Sequence, residues 1–222
     1  MGRPKQFDED EVLGKAMDLF WRQGYKATSI RDLVEQTGIG EGSLYDSFGG
    51  KRELFLAALE RYGRLFAPLL KRLEQPGSPK RAIEDFVYLI AGFLAAQEDH
   101  RGCMVTNTAI ELAPHDPQMR ELLRTTYSTV EEAFYKALRR ARDAGELTEG
   151  EKLRSLARFL TQSLEGMRVL AKTGLPPRAL RDMARVTLSV LSTGNSSDRR
   201  TAGLKRRRRK TRRTTRPQGA KS

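Results

Sequence analysis

The sequence predicts an all-α fold of about nine helices: an N-terminal three-helix unit followed by a larger C-terminal helical domain. Two observations carry this reading. Apolar residues recur at spacings of three and four from Val12 to Leu191, and no stretch alternates with the period of two that a strand needs. Between those runs stand helix-start and helix-stop residues, among them Asp8, Gly24, Ser29, Gly38, Pro79, Pro117, Gly145 and Pro177.

Asp8 opens the first helix, with Glu11 at the capping-box position, acids in the first turn facing the helix dipole, and Phe7 and Val12 spaced as a hydrophobic staple. Gly24 ends it. Its stripe is Val12, Leu13, Ala16, Leu19, Phe20 and Trp21, and Trp21 reads as core or core edge rather than as a base-stacking residue. Residues 28–48 then read as two short helices joined by a tight turn. Ser29 caps the first, with Asp32 in the reciprocal position, and Ile30, Leu33 and Val34 face inward. Gly38 stops it, since a helix end most easily turns through left-handed backbone, and Ile39 plugs the turn. The second helix has only Leu44 and Phe48 to bury, which leaves Glu41, Gly42, Ser43, Tyr45, Asp46 and Ser47 for outward contact. A helix with so little core of its own suits a DNA-reading helix-turn-helix, and on the residues alone a plain helical hairpin stays equally open.

Thr28-Ser29, Gly38-Ile39, Ser43-Leu44-Tyr45, Phe48, Lys51 and Leu54-Phe55 together resemble the DNA-binding domain of TetR-family (tetracycline-repressor-like) transcriptional regulators. The motifs are specific over residues 7–56, and the resemblance extends in layout to about residue 192. It implies a one-component repressor, homodimeric and all-helical, on a near-palindromic double-stranded DNA operator. It also implies a small-molecule inducer bound in the C-terminal domain. The expected organisation is an arm and helix-turn-helix over residues 1–50, a regulatory and dimerisation domain over 51–192, and a disordered basic tail over 193–222.

Beyond Gly49-Gly50, Lys51 starts a long helix to about Leu73, one rod shared by both domains. Gln75-Pro76-Gly77-Ser78-Pro79 is the clearest boundary and starts a helix with Ile83, Phe86, Val87, Ile90, Phe93 and Leu94 inward. A short apolar segment from Cys103 to Leu112 follows, then Pro114 and Pro117 stop one helix and start a long one reaching about Ala144. Thr148 and Glu151 form a capping box for the next, and Leu175-Pro176-Pro177 separates the last. The small residues Ser163, Gly166 and Ala184 on these final two helices allow close approach, either of a second chain in a four-helix interface or of the chain's own core.

Composition narrows the function classes. The longest apolar run, Leu89 to Ala96, is too short to cross a bilayer, so no membrane partner is expected. Met1 to Lys5 lacks the apolar stretch of a secretory signal, and one cysteine makes no internal disulfide, which points to a reducing cytoplasm. The formal charge is +13, and residues 195–222 hold twelve Lys and Arg against one acid, Asp198, so +11 of it sits in the tail. Polyanion attraction therefore belongs to the chain's ends rather than to the folded surface. No paired carboxylates, nucleophile triad, phosphate loop or metal motif stands out, and neither an enzyme nor a cofactor is expected. The rival binding class is a nucleic-acid packaging protein driven by the tail, which would bind all duplexes alike.

Candidate contacts to DNA are Arg3 and Lys5 in a minor-groove arm; Thr28, Ser29, Tyr45 and Lys51 on phosphates; and Glu41, Gly42, Ser43 and Asp46 facing base edges. The two carboxylates depart from the basic or neutral residues usual in the family and make the operator sequence unreadable from this chain. For the second site, Gly102-Cys103-Met104-Val105-Thr106-Asn107-Thr108-Ala109-Ile110-Glu111 resembles the Gly-Cys-Leu-x-Val-Asn-x-Ala-x-Glu stretch of a TetR subgroup that includes copper- and electrophile-responsive repressors. Cys103 at a helix start is either a reactive thiol or a small buried hydrophobe. Lys172 stands where electrophile-sensing relatives carry a lysine that reacts with the oxidised cysteine. A reversible inducer would be lined by Phe66, Phe86, Ile90, Phe93, Thr106, Asn107, Tyr127 and Val130. His100 and His115 lack a ligand spacing that would make them metal partners of Cys103.

Overall fold

The computed structural model describes residues 7–147 and 152–195. Among them are nine α-helices: α1 Glu9–Gln23, α2 Ile30–Thr37, α3 Glu41–Phe48, α4 Lys51–Leu70, α5 Pro79–Ala95, α6 Met104–Glu111, α7 Pro117–Asp143, α8 Leu153–Ala171 and α9 Pro177–Leu188. Two 3₁₀ turns, Lys71–Glu74 and Ser189–Asn195, extend α4 and α9, and no strand occurs among the described residues. The basic arm with Arg3 and Lys5, the expected Thr148–Glu151 box and the basic tail lie outside the described residues.

Local chemistry sets most boundaries. Ser29 Oγ accepts from the Asp32 amide at 3.1 Å while the Ser29 amide donates to Asp32 Oδ2 at 2.7 Å, so the α2 box is complete. Gly38 closes α2 at φ 78°. The expected box on α1 does not form: Asp8 instead accepts from the Asp10 amide at 2.8 Å, its short side chain reaching the second helical residue rather than pairing with Glu11. The rod from Lys51 keeps α-helical form to Leu70 and then tightens. Pro68 lies in its last turn, where it removes one ladder donor.

Buried apolar residues form two clusters. Those of α5, α7, α8 and α9, with Phe86 and Phe134 edge-on at 5.6 Å, make the C-terminal bundle. The other cluster joins α1–α4, including Phe20 edge-on to Phe55 at 5.0 Å, to Cys103, Met104 and Leu112 around α6 and to Met119 and Leu123 of α7. The N-terminal unit is thus completed by residues far along the chain, and its core does not close at residue 50. Ala184 is wholly buried in the chain's own core, the second of the two places open to it. The apolar surface left open on α8 is Val169 and Leu170, one turn from the exposed Gly166, with Val186 exposed on α9.

Two carboxylates tie these parts to pH. The Ser29 amide and hydroxyl hold the Asp32 carboxyl below its ordinary 3.8, and Arg31 and Lys51 add to this. Arg52, reaching from α4, does the same to Asp116 at the α7 N-cap, through a 2.8 Å bond, together with the Met119 amide. Both folded values lie below the unfolded ones. Their contributions are therefore complete above about pH 4 and are lost as pH falls through the lowered values. Asp116→Asn should flatten the acid limb of a urea-stability profile against pH, and an unchanged limb would assign it to other carboxylates.

Candidate nucleic-acid interface and regulatory cavity

The outward face of α3 is Glu41, Gly42, Ser43, Tyr45 and Asp46, all exposed, with Tyr45 at 47%. Leu44 alone is fully buried, and Phe48 is half-buried against the N-terminal cluster. The first turns of α2 and α4 flank this face. Ser29 is exposed at the α2 N-cap, and Lys51 lies close enough to act on the Asp32 carboxyl of the same box. Lys51 Nζ sits 4.4 Å from the centroid of the Tyr25 ring, a cation–π seat that aims a half-exposed ammonium from a helix N-terminus. Amides at helix starts beside a lysine suit phosphate oxygens. Thr28 departs from the expectation: it is wholly buried, and its hydroxyl donates to the Gly24 carbonyl at 2.6 Å, so it holds the turn instead of meeting a phosphate. Lys26 and Arg31, both exposed beside Ser29, are cations the sequence reading passed over.

The second site is a cavity of about 300 Å³ between α4, α5, α6 and α7. Phe66, Phe86, Ile90, Phe93, Tyr127 and Val130 line it as expected, and so does Cys103. An aromatic wall connects it to the N-terminal unit, with Trp21 edge-on to Tyr62 at 4.9 Å and Phe66 edge-on to Phe93 at 5.4 Å. Cys103 is 5% exposed, and its Sγ accepts from the Tyr62 hydroxyl at 3.4 Å. Burial, and then the nearby Cys103, pushes the Tyr62 phenol well above its ordinary value, so it stays a donor. Burial and Glu165 push Tyr127 upward too.

Three expected members are elsewhere. Asn107 Nδ2 donates to the Arg101 carbonyl at 2.9 Å and closes the loop before α6, and Asn107 does not line the cavity. Lys172 is exposed, with its stem against Gly102 and its Nζ 3.4 Å from the Arg101 carbonyl, two residues before Cys103. Thr106 is buried, with its hydroxyl donating to Glu165 instead of facing the cavity. Sequence reasoning missed Arg168, the one charged residue in the lining. Burial weighs against its charge, and Cys103 and the paired Glu165 carboxylate outweigh that, holding the guanidinium above its ordinary value. Its spacing of four from the buried Leu164 on the inner face of α8 was the available signal. Among the described residues, His100 and His115 do not join Cys103 in any group of three or more side chains placed to hold a metal ion. No helix among those residues is long and apolar enough to cross a membrane.

Residues 12–58 match the model for bacterial regulatory proteins of the tetR family, and residues 79–186 match the C-terminal domain of LmrA/YxaF-like transcriptional regulators. Over 194 residues the chain is 41% identical to the uncharacterized HTH-type transcriptional regulator YezE of Bacillus subtilis, covering 86% of this chain and 100% of that one. The chain belongs to the TetR family. It is also 34% identical over 191 residues to the HTH-type transcriptional repressor ComR of Escherichia coli, covering 85% of this chain and 91% of that protein. A TetR-family regulator named CifR, solved as a cysteine mutant on 26-base-pair operator DNA, matches with a TM-score of 0.77 at 29% identity, over 86% of this chain and 100% of that one. The protein is a sequence-specific DNA-binding transcriptional regulator, and its helix-turn-helix lies inside the region matched as TetR-like.

Proposed function

We propose that the protein is a repressor that binds a near-palindromic operator as a homodimer and is released when the cavity is occupied or Cys103 is modified. The observation that carries this is the shared cluster: the residues that buttress α3 are packed in one core with Cys103 and Met104, and Cys103 is also cavity wall. In this reading Ser29, Tyr45 and Lys51 contact phosphates, Arg3 and Lys5 of the arm lie in the minor groove, and Glu41, Gly42, Ser43 and Asp46 meet base edges. The exposed apolar faces of α8 and α9 pair with a second chain, which puts two α3 helices about 34–36 Å apart or somewhat more. Selection from random duplexes, with tail-deleted protein, should recover one short two-fold sequence. Equal binding to all duplexes would instead favour a packaging role for the tail.

The thiol arm follows the copper- and electrophile-responsive subgroup. It is supported by a single cysteine facing a cavity that also holds a tyrosine donor and an arginine. The cysteine-substituted CifR that binds its operator supports a cysteine dispensable for DNA binding itself. Cys103→Ser should keep operator affinity within about twofold, because the substitution removes no DNA contact, while abolishing release by quinones or peroxides. Full release of the Ser variant would assign the response to the reversible cavity.

A further inference from the structure

Glu111, the last residue of α6, carries its carboxylate into the turn between α1 and α2. Its Oε2 accepts from the Tyr25 amide at 2.9 Å and its Oε1 from the Lys26 amide at 2.6 Å. One carboxylate thereby serves two backbone donors across 86 and 85 residues of sequence, a charge-assisted contact of the stronger kind. The turn has space for it because residue 24 is glycine. At φ 86° a Cβ there would lie 2.8 Å from Oε2. The same turn is the one that Thr28 ties back to the Gly24 carbonyl before Ser29 starts α2.

The other end of α6 is the cavity wall, where Cys103 is its N-cap and Val105 lies in its first turn. That end is fastened to α1 as well. Trp21 Nε1 donates to the Gly102 carbonyl at 3.2 Å, and Arg101 pairs with Asp18. A helix of eight residues is about 12 Å long and moves as a rigid body, so a displacement at Cys103 reaches Glu111 undiminished.

We propose that Glu111 is the positioning residue that couples the cavity to the DNA-reading unit: α6 transmits the state of its cavity end to the α1–α2 turn through this carboxylate. The inference rests on the repressor reading and adds the path by which occupancy reaches the operator.

Cys103 is the only cysteine, so its labelling rate by methyl methanethiosulfonate reports on the cavity end of α6 in the full chain. Coupling of affinities is reciprocal, so a bound operator must shift the conformational equilibrium at the cavity end of α6, and the labelling rate reads that shift through the exposure of Cys103. With the selected duplex at saturation, the wild-type rate should change on the order of fivefold or more. In Glu111→Ala and Glu111→Gln the ratio with and without operator should fall close to one, with cooperative melting retained. The Gln variant keeps one acceptor and carries the test if the Ala variant does not fold. A wild-type ratio in a folded, operator-bound variant overturns the proposal. So does a wild-type rate that bound operator leaves unchanged, and that result leaves sequence-selective operator binding, read separately by titration of the same duplex, standing.

Discussion

Leu44→Ala is expected to weaken operator binding by about tenfold or more while the C-terminal bundle stays folded. Helix α3 has eight residues, too few to persist unsupported in water. Its Gly40 N-cap offers no side-chain bond, and Leu44 is its single fully buried side chain. Removing such a leucine costs about 2–5 kcal/mol, and little in α3 can relax to refill the space. The cost falls on local opening of α3, so the fraction of molecules able to read DNA drops and the apparent affinity drops with it. Operator titration by fluorescence anisotropy should show at least about a tenfold loss, with faster amide exchange confined to residues 40–49. The bundle cluster shares no residue with Leu44 and should melt as before. Affinity within about twofold of wild type would mean that α3 is held by its partners in DNA rather than by its own anchor.

What the sequence made legible follows the range of the interaction. The Ser29–Asp32 box and the Gly38 stop are bonds within a few residues, and both formed where the local pattern put them. The Asp8 box failed on an equally local scale, because two neighbouring amides compete for one short carboxylate and the nearer-placed Asp10 took it. The cavity lining was partly readable because a hole in a helical core is walled by the same periodic apolar positions that fill the core, such as Phe86, Ile90 and Phe93 on α5. Periodicity does not say which way a polar residue turns, and Asn107 and Lys172 turned to the Arg101 carbonyl. Glu111 was quoted as the end of a motif, with nothing to suggest its partners, because Tyr25 and Lys26 lie more than eighty residues away. Thr28 was misassigned by position alone: a hydroxyl before a helix can face solvent or the preceding turn, and burial by the α1–α2 corner chose the turn.

Arg168→Met should be the largest single loss of stability at the cavity, and Glu165→Gln in the same chain should restore most of it. The two side chains are 16% and 20% exposed and pair with each other one turn apart on α8. Glu165 also accepts from the Thr106 hydroxyl of α6, so its carboxylate fastens the cavity end of that helix. Taking away the guanidinium leaves a carboxylate only 20% exposed, with the Thr106 hydroxyl as its remaining side-chain partner. The expected cost is about 3 kcal/mol, at the low end for a broken buried pair because each group keeps a little exposure. The double variant has no charge to strand, and glutamine can still accept from Thr106. Urea unfolding of the four chains should therefore give a coupling of about 1–3 kcal/mol between the two sites. A double variant as unstable as Arg168→Met alone would show that Arg168 contributes through the packing of its stem against the cavity wall, and the ion pair would then be spectator to the fold.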